Sequence, residues 1–268
     1  MLVFPNCKIN LGLNILEKRP DGYHNIETVF YPVRLSDALD IIVAKDGKFE
    51  FTQTGLIIEG NKDDNLCVKA YQLLKRDFNL PPVKIHLHKV IPVGAGLGGG
   101  SSDGAYAIRL LNKHFSLRLS DTGMADYARR LGSDCAFFIG NKPVIASGRG
   151  DEFQPCRVDL SDSRILVVVP PIHVNTANAY SRVVPSKIVK SLKDSILKPI
   201  HQWRDSLQNN FEPSVFDRCP EIRKIKQQLY EMGALYASMS GSGSAVYGIF
   251  EKKEIHSVSF PGCFVWRQ

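Results

Sequence analysis

No stretch of this 268-residue sequence stays apolar for long. The longest apolar run, Ile165 to Ile172, is cut by Pro170 and Pro171 and is far too short to span a bilayer, which takes about 20 residues. The opening Met1-Leu2-Val3-Phe4 meets Pro5 and Lys8 too soon for the apolar core of a secretory signal. A cytoplasmic chain with no membrane partner is expected. Cysteine is sparse: the six residues Cys7, Cys67, Cys135, Cys156, Cys219 and Cys263 form no C-x-x-C pair and no metal-ligand spacing. That excludes a disulfide scaffold and a zinc module, and leaves free thiols packed in the interior of a reduced protein. Internal repeats, low-complexity segments and long linkers are missing. So are a basic tract, an aromatic RNA-binding motif and a KH-type loop, so nucleic acid is not an expected partner. What charge there is leans positive: 34 Lys and Arg against 27 Asp and Glu give a formal +7. Spread over the whole chain, that excess suits small anionic ligands. A composition of 44% hydrophobic and 23% charged residues is that of an ordinary globular protein and excludes a disordered, collagen-like or membrane-bundle chain.

Strands and helices interleave without a strict βαβ rhythm, which predicts an α+β fold in two lobes. Ile9, Leu11, Leu13 and Ile15 alternate with Asn10, Gly12 and Asn14, the period of a half-buried strand. Lys8 and Asn10 share its polar phase and hence one face. Arg19-Pro20-Asp21-Gly22 is a turn. Strands are expected at Ile26–Val33, Leu39–Val43, Lys48–Thr52, Val83–Leu87, Arg164–Val169, Ser244–Phe250 and Cys263–Trp266. Helices are expected after an Asn65 cap, near Asp103–Asn112 and Asp121–Leu131 with those aspartates as caps, and near Ala177–Val183, Ile200–Asn209 and Glu221–Met232. Polar and charged residues collect at Asp151–Ser163, so a boundary is drawn between domains 1–155 and 156–268.

The most informative stretch is Pro92-Val93-Gly94-Ala95-Gly96-Leu97-Gly98-Gly99-Gly100-Ser101-Ser102-Asp103. Glycines let a backbone approach an anion closely, and the hydroxyls fall where a helix should start. Backbone N–H groups at a helix N-terminus form a phosphate site. No lysine follows the glycines, so this is not the G-x-x-x-x-G-K-[ST] loop. Gly94, Gly96 and Gly99 do spell G-x-G-x-x-G, but the acid expected on the next strand is replaced by Asp121, which reads as a helix cap. A flexible hinge is the bland alternative.

Pro92–Ser102 resembles the phosphate-binding motif of the GHMP superfamily of small-molecule kinases. Pro5-Asn6-Cys7-Lys8-Ile9-Asn10-Leu11 resembles the first motif of that family, and Met239-Ser240-Gly241-Ser242-Gly243-Ser244-Ala245 the third. Arg19-Pro20-Asp21-Gly22-Tyr23-His24 and Leu131-Gly132-Ser133-Asp134 narrow the resemblance to a branch whose acceptor is a cytidine diphosphate conjugate. Cys7, Gly104 and Cys135-Ala136 depart from the family pattern. The resemblance implies an N-terminal lobe like the second domain of ribosomal protein S5 and a C-terminal α/β sandwich lobe. It implies ATP and Mg2+ as cofactors, and phosphoryl transfer to a tertiary hydroxyl with Asp134 as base assisted by Lys8. Phosphate contacts would come from the whole loop, with Asn65, Leu66 and Lys89 on the adenine side. The acceptor would meet Asn10, Tyr23, His24, Thr176 and Tyr180, with the two tyrosines sandwiching the cytosine. No protein metal ligand is assigned, although Ser102 is a candidate. Alone, each of these residues has an ordinary reading: Lys8 and Lys89 as solvated strand lysines, Asp134 as a residue past a helix stop, Tyr180 as helix packing. The alternative enzyme is another GHMP kinase, acting on homoserine, mevalonate or a sugar. A nucleotide- or RNA-binding module without catalysis is the alternative of another class.

Overall fold

The computed structural model describes every residue except 59, 182, 184, 186–190 and 253–258. Its strands are β1 (Leu2–Val3), β2 (Asn6–Lys18), β3 (His24–Ser36), β4 (Ala38–Val43), β5 (Glu50–Gly55), β6 (Val83–Lys89), β7 (Val144–Ser147), β8 (Glu152–Pro155), β9 (Ser163–Val169), β10 (Tyr236–Met239), β11 (Val246–Glu251) and β12 (Phe264–Arg267). Its helices are α1 (Leu66–Phe78), α2 (Gly99–His114), α3 (Asp121–Leu131), α4 (Phe137–Gly140), α5 (Thr176–Tyr180), α6 (Leu192–Ile196), α7 (Trp203–Ser206), α8 (Glu212–Arg218) and α9 (Pro220–Glu231), with 3-10 turns at Lys62–Asp64 and Ile200–Gln202. The α+β expectation holds. No helix among the described residues is long and apolar enough to cross a membrane.

The chain forms two compact units. The first comprises Met1–Cys7, Arg34–Val93 and Gly98–Lys142. Its sheet has the order β1-β4-β6-β5, with β5 parallel to β6 and the other pairs antiparallel. Ile41 faces Ile85 and Leu39 faces Leu87 across the central pair. Along β6, Val83, Ile85, Leu87 and Lys89 are buried, while the residues between them are partly or fully exposed. Helix α1 buries Cys67, Val68, Ala70, Tyr71 and Leu74, the spacing of one helical face. It begins at Asn65, whose side chain accepts from the Cys67 N–H at 2.9 Å. A Cβ on Gly104 would stand 2.9 Å from the Leu66 Cβ, so the glycine lets α1 and α2 approach closely.

The second unit comprises Lys8–Val33, Gly94–Leu97 and Pro143–Gln268. One sheet, β10-β11-β9-β12, is antiparallel throughout. The other has the order β2-β3-β7-β8. Helix α9 lays Ile222, Ile225 and Leu229 into a core that includes Leu166, Val168, Met239 and Val246.

Several expectations shift. Each unit is drawn from three stretches of the chain. The polar stretch Asp151–Ser163 begins with β8, the mostly exposed outer strand of the β7–β8 hairpin, which pairs back onto β3 through β7. Asp103 does not cap a helix: α2 starts five residues earlier at a Gly98 cap in the left-handed region, φ +69. Ser120, not Asp121, caps α3, its hydroxyl accepting from the Gly123 N–H. The Ile200–Asn209 helix is a 3-10 turn and one short α turn, because Leu207 becomes extended to pair with β2 through Gln208. Helix α5 stops at Tyr180, and residue 182 of the expected Ala177–Val183 helix lies outside the described residues. Strand β5 starts at Glu50 and β11 at Val246. Strands β1, β7, β8 and β10 and helices α4, α6 and α8 carried no sequence signal long enough to read. All six cysteines are free thiols; Cys7, Cys67 and Cys135 are buried and the others half-buried.

Leu229 is fully buried between α9 and the sheet. Leu229→Ala is expected to destabilise the chain by about 2–5 kcal/mol, read as a lower urea midpoint with an unchanged m value.

Candidate active site

The residues of the glycine loop divide between the units: Pro92 and Val93 belong to the first, Gly94–Leu97 to the second, and Gly98 onward to the first again. Within the second unit its middle is fastened on three sides. The Lys8 N–H donates to the Leu97 carbonyl at 2.9 Å and the Ala245 N–H to the Ala95 carbonyl at 3.0 Å. The Ser240 hydroxyl donates to the Gly96 carbonyl at 2.9 Å. Gly96 has φ +79, and a Cβ there would stand 2.1 Å from the Ser240 carbonyl oxygen. The third glycine-rich motif is therefore packed directly on the loop, where only glycine fits. Gly94, φ +68, lies against the His173 ring, which sequence reasoning did not single out.

Beside this loop run three polar residues of β2 and β3. The Lys8 ammonium donates to Asn10 Oδ1 at 2.7 Å and stands 4.7 Å over the Phe30 ring. Asn10 Nδ2 donates to the Thr28 hydroxyl at 2.9 Å, which donates in turn to the Gly12 carbonyl at 2.5 Å. The Asn10 N–H donates to the Ser240 hydroxyl at 3.3 Å. Lys8 is 3% exposed, Asn10 2% and Thr28 0%. β2 was expected to be half-buried, yet it is buried on both faces through Ile15. Asn10 thus serves first as the group that aims the Lys8 ammonium. Thr28 was missed; the signal was its place two residues past Ile26 in a strand of apolar character.

The residues expected on the acceptor side also gather in the second unit. Gly22, φ +84, closes the Arg19–Tyr23 turn, with the Arg19 N–H donating to the Tyr23 carbonyl at 2.8 Å. Tyr23 is 59% exposed, and the Arg149 guanidinium lies 5.3 Å from its ring centroid. His24 stacks on Tyr180 with centroids 4.9 Å apart and planes 19° apart, and Phe211 meets Tyr180 edge-on at 4.8 Å. Burial, and then the Lys18 charge, lower the His24 pKa, which favours the neutral ring. Thr176 opens α5 and shares a hydrogen bond with Ser242 at 3.0 Å. Tyr180 thus faces His24. Arg149 was missed although it sits between two glycines in Gly148-Arg149-Gly150.

In the first unit, Ser102 is fully buried with no hydrogen-bond partner for its hydroxyl among the described residues. Asp134 is half-buried in the turn after α3, where the Ser133 hydroxyl reaches its carboxylate at 3.4 Å. The neighbouring Cys135 is buried against Gly132 and Ser101. Burial pushes its thiol up to about 12, with Ser101 opposing, so it brings no charge beside Asp134. Asn65 spends its side-chain oxygen on the α1 cap, and Leu66 packs at the α1–α2 contact.

Lys89 departs from its expected place. It is not a solvated or ligand-facing lysine: its side chain is 1% exposed, and its ammonium is ion-paired with Asp37 and, at 2.9 Å, with Asp103. The signal was present, since Lys89 continues the inward phase of Val83, Ile85 and Leu87. Asp37 and Asp103 had no such signal. No cluster of three or more His, Cys, Asp or Glu that could hold a metal ion occurs among the described residues.

Residues 65–142 match the GHMP kinases N terminal domain, and residues 188–259 match the GHMP kinases C terminal domain. The chain is 54% identical over 253 residues to the 4-diphosphocytidyl-2-C-methyl-D-erythritol kinase of Bacteroides thetaiotaomicron, covering 94% of this chain and 92% of that one. The chain belongs to the GHMP kinase family. It is 53% identical over 254 residues to the enzyme of the same name from Cytophaga hutchinsonii, covering 94% and 93% of the two chains. The crystal structure of a 4-(cytidine 5'-diphospho)-2C-methyl-D-erythritol kinase superposes with a TM-score of 0.77 at 28% identity, over 93% of this chain and 90% of that one. The fold is that of a GHMP kinase.

Two loop glycines separate close approach from mere permissiveness. Gly96→Ala is expected to cost more than about 2 kcal/mol of stability, read as a lower urea midpoint, from strained φ plus the clash with Ser240. Gly100 is helical, and a Cβ there would meet nothing within 4 Å. Gly100→Ala is expected to leave stability unchanged or raise it by about 0.5–1 kcal/mol.

Proposed function

We propose that this GHMP kinase transfers the γ-phosphoryl group of ATP to the 2-hydroxyl of 4-diphosphocytidyl-2-C-methyl-D-erythritol, a step of non-mevalonate isoprenoid synthesis in the cytoplasm. The observation that carries the reading is the near-complete coverage, at 54% identity, of a relative bearing that name. The Asp21-Gly22-Tyr23-His24 turn supports it by putting an exposed aromatic face beside a partly buried neutral histidine.

Each group has a part. The loop N–H groups and the N-terminus of α2 would cradle the triphosphate. The Lys8 ammonium, aimed by Asn10 and Thr28, would stabilise charge on the transferring phosphoryl. Asp134 would take the hydroxyl proton. Tyr23, His24, Thr176 and Tyr180 would hold the cytidine, and Arg149, beside Tyr23, adds a positive charge to that surface. Mg2+ bound with ATP neutralises phosphate charge. The residues fit it: Mg2+ keeps waters and phosphate oxygens and needs no all-protein cage, and Ser102, whose buried hydroxyl has no partner among the described residues, is the residue that would hold it.

The test is phosphate transfer from ATP, followed by 31P NMR, to 4-diphosphocytidyl-2-C-methyl-D-erythritol, methylerythritol phosphate, homoserine, mevalonate and galactose. Efficient use of the cytidylated acceptor alone is expected. Equal use of methylerythritol phosphate would overturn the substrate assignment. Asp134→Asn should cut kcat by about 10²–10⁴ while ATP still binds. Lys8→Met should lose a similar factor, and the double variant far less than the product, because the two act as one unit. Strict multiplicativity would show that they act separately. For the cytidine, Tyr23→Ala, by removing a face for the base, should lower kcat/KM by roughly 5- to 150-fold with the cytidylated acceptor, and Tyr180→Ala, by freeing His24, should lower it as well. The loss should nearly vanish with the truncated one.

A further inference from the structure

The buried charges of the first unit have no part in the chemistry above. Asp37 is 1% exposed, Lys89 2% and Asp103 2%. Their contacts reach both ends of the phosphate loop. One oxygen of Asp37 accepts the backbone N–H groups of Val90 and Ile91, at 2.6 and 2.8 Å, just before the loop begins at Pro92. The other accepts from the Lys89 ammonium. The same ammonium donates to Asp103, in the second turn of α2, just after the loop ends at Ser102. Between them the chain leaves the first unit at Gly94 and returns at Gly98. A Cβ on Gly99 would stand 2.9 Å from the Lys89 ammonium, so the lysine passes directly beneath the first turn of α2.

We propose that Asp37, Lys89 and Asp103 form a clasp that positions the phosphate loop, fixing the spacing of its entry and exit and thereby nucleotide affinity. The proposal rests on the reading of this loop as the ATP site. Stability alone is a poor account of the cluster. Replacing a buried ion network by neutral groups is often harmless or stabilising, because desolvation of the charges consumes the Coulomb gain. Burial does weaken the charge here: it raises the Asp103 carboxyl to about 7, with Asp37 adding and Lys89 opposing. What the network does impose is geometry. Two carboxylates converge on one ammonium, and each is tied to a different flank of the same loop.

The test measures binding of a non-hydrolysable ATP analogue and of the cytidylated acceptor to the full chain by calorimetry, alongside Tm. Lys89→Met should weaken the analogue about tenfold or more and leave the acceptor within about twofold. Asp103→Asn should do less, since an amide oxygen still accepts from Lys89. Lys89→Met leaves two carboxylates without their cation and could fail to fold for that reason alone. The triple variant Asp37→Asn, Lys89→Met, Asp103→Asn has no unpaired charge, and should keep a Tm near that of the wild type yet still lose nucleotide affinity. A folded triple variant that binds the analogue like the wild type overturns the clasp. A triple variant that does not fold assigns the cluster to stability and overturns it too. A wild type that binds no analogue overturns the kinase reading, and the clasp with it.

Discussion

A glycine-rich loop such as Pro92–Ser102 presents backbone N–H groups, and its glycines leave open where they point. Its shape must be imposed by neighbours. In the second unit the ordering of Gly94–Leu97 costs on the order of 4–8 kcal/mol. Three hydrogen bonds to that segment, from Lys8, Ser240 and Ala245, offset about 3 kcal/mol. The side chains of Ala95 and Leu97, 3% and 1% exposed, bring the total close to balance, Leu97 contributing about 1.5–3 kcal/mol. The loop is therefore held as much by its two apolar residues as by its polar contacts. That is why the middle of the motif alternates glycine with alanine and leucine.

The same demand explains the polarity of β2. A strand with Lys8, Asn10 and Asn14 in one phase should turn that phase to water, but here both phases are buried. Burying an ammonium is costly unless it is bonded and paired. Asn10, the Phe30 ring and the chain of hydrogen bonds through Thr28 to Gly12 meet part of that cost. The sequence expectation of a shared face for Lys8 and Asn10 was right. What it could not supply was the depth of that face, because burial of the polar phase comes from the third motif, some 230 residues further along.

Legibility followed the range of the physics. Period-2 and period-3.6 patterns in long elements, such as β2, β6, α1 and α9, were readable because one side chain in two or four meets the core. The short strands β7, β8 and β10 were not, since they owe their conformation to partners far along the chain. Helix caps failed by one residue at Ser120 and five at Gly98, where a left-handed glycine replaces the polar cap that a sequence search seeks. Site candidates that carry a motif could be named from the sequence, because their spacing marks them. Those that act through another residue, Thr28, Asp37 and Asp103, were invisible as partners, because a lone threonine or aspartate has no spacing to betray it. Lys89 was the instructive miss. Its residue type argued for solvent and its phase in β6 for the interior, and the phase prevailed because two carboxylates wait there.

The surface proposed for the acceptor carries a last consequence of the same kind. A cytosine held between Tyr23 and Tyr180 would have to displace His24 from its stack on Tyr180. That exchange gives up a ring pair worth about 0.5–1.5 kcal/mol for a base stack worth about 1–3 kcal/mol, a small net gain. Tyr23, with 59% of its surface open, offers a face at the cost of one exposed guanidinium contact with Arg149. The His24 ring, kept neutral and held flat against Tyr180, still has nitrogens at its edge to donate and accept. Stacking on Tyr23 with His24 reading the base edge uses the surface as it stands. In that arrangement Tyr180 and Phe211 act by holding the histidine rather than by touching the base.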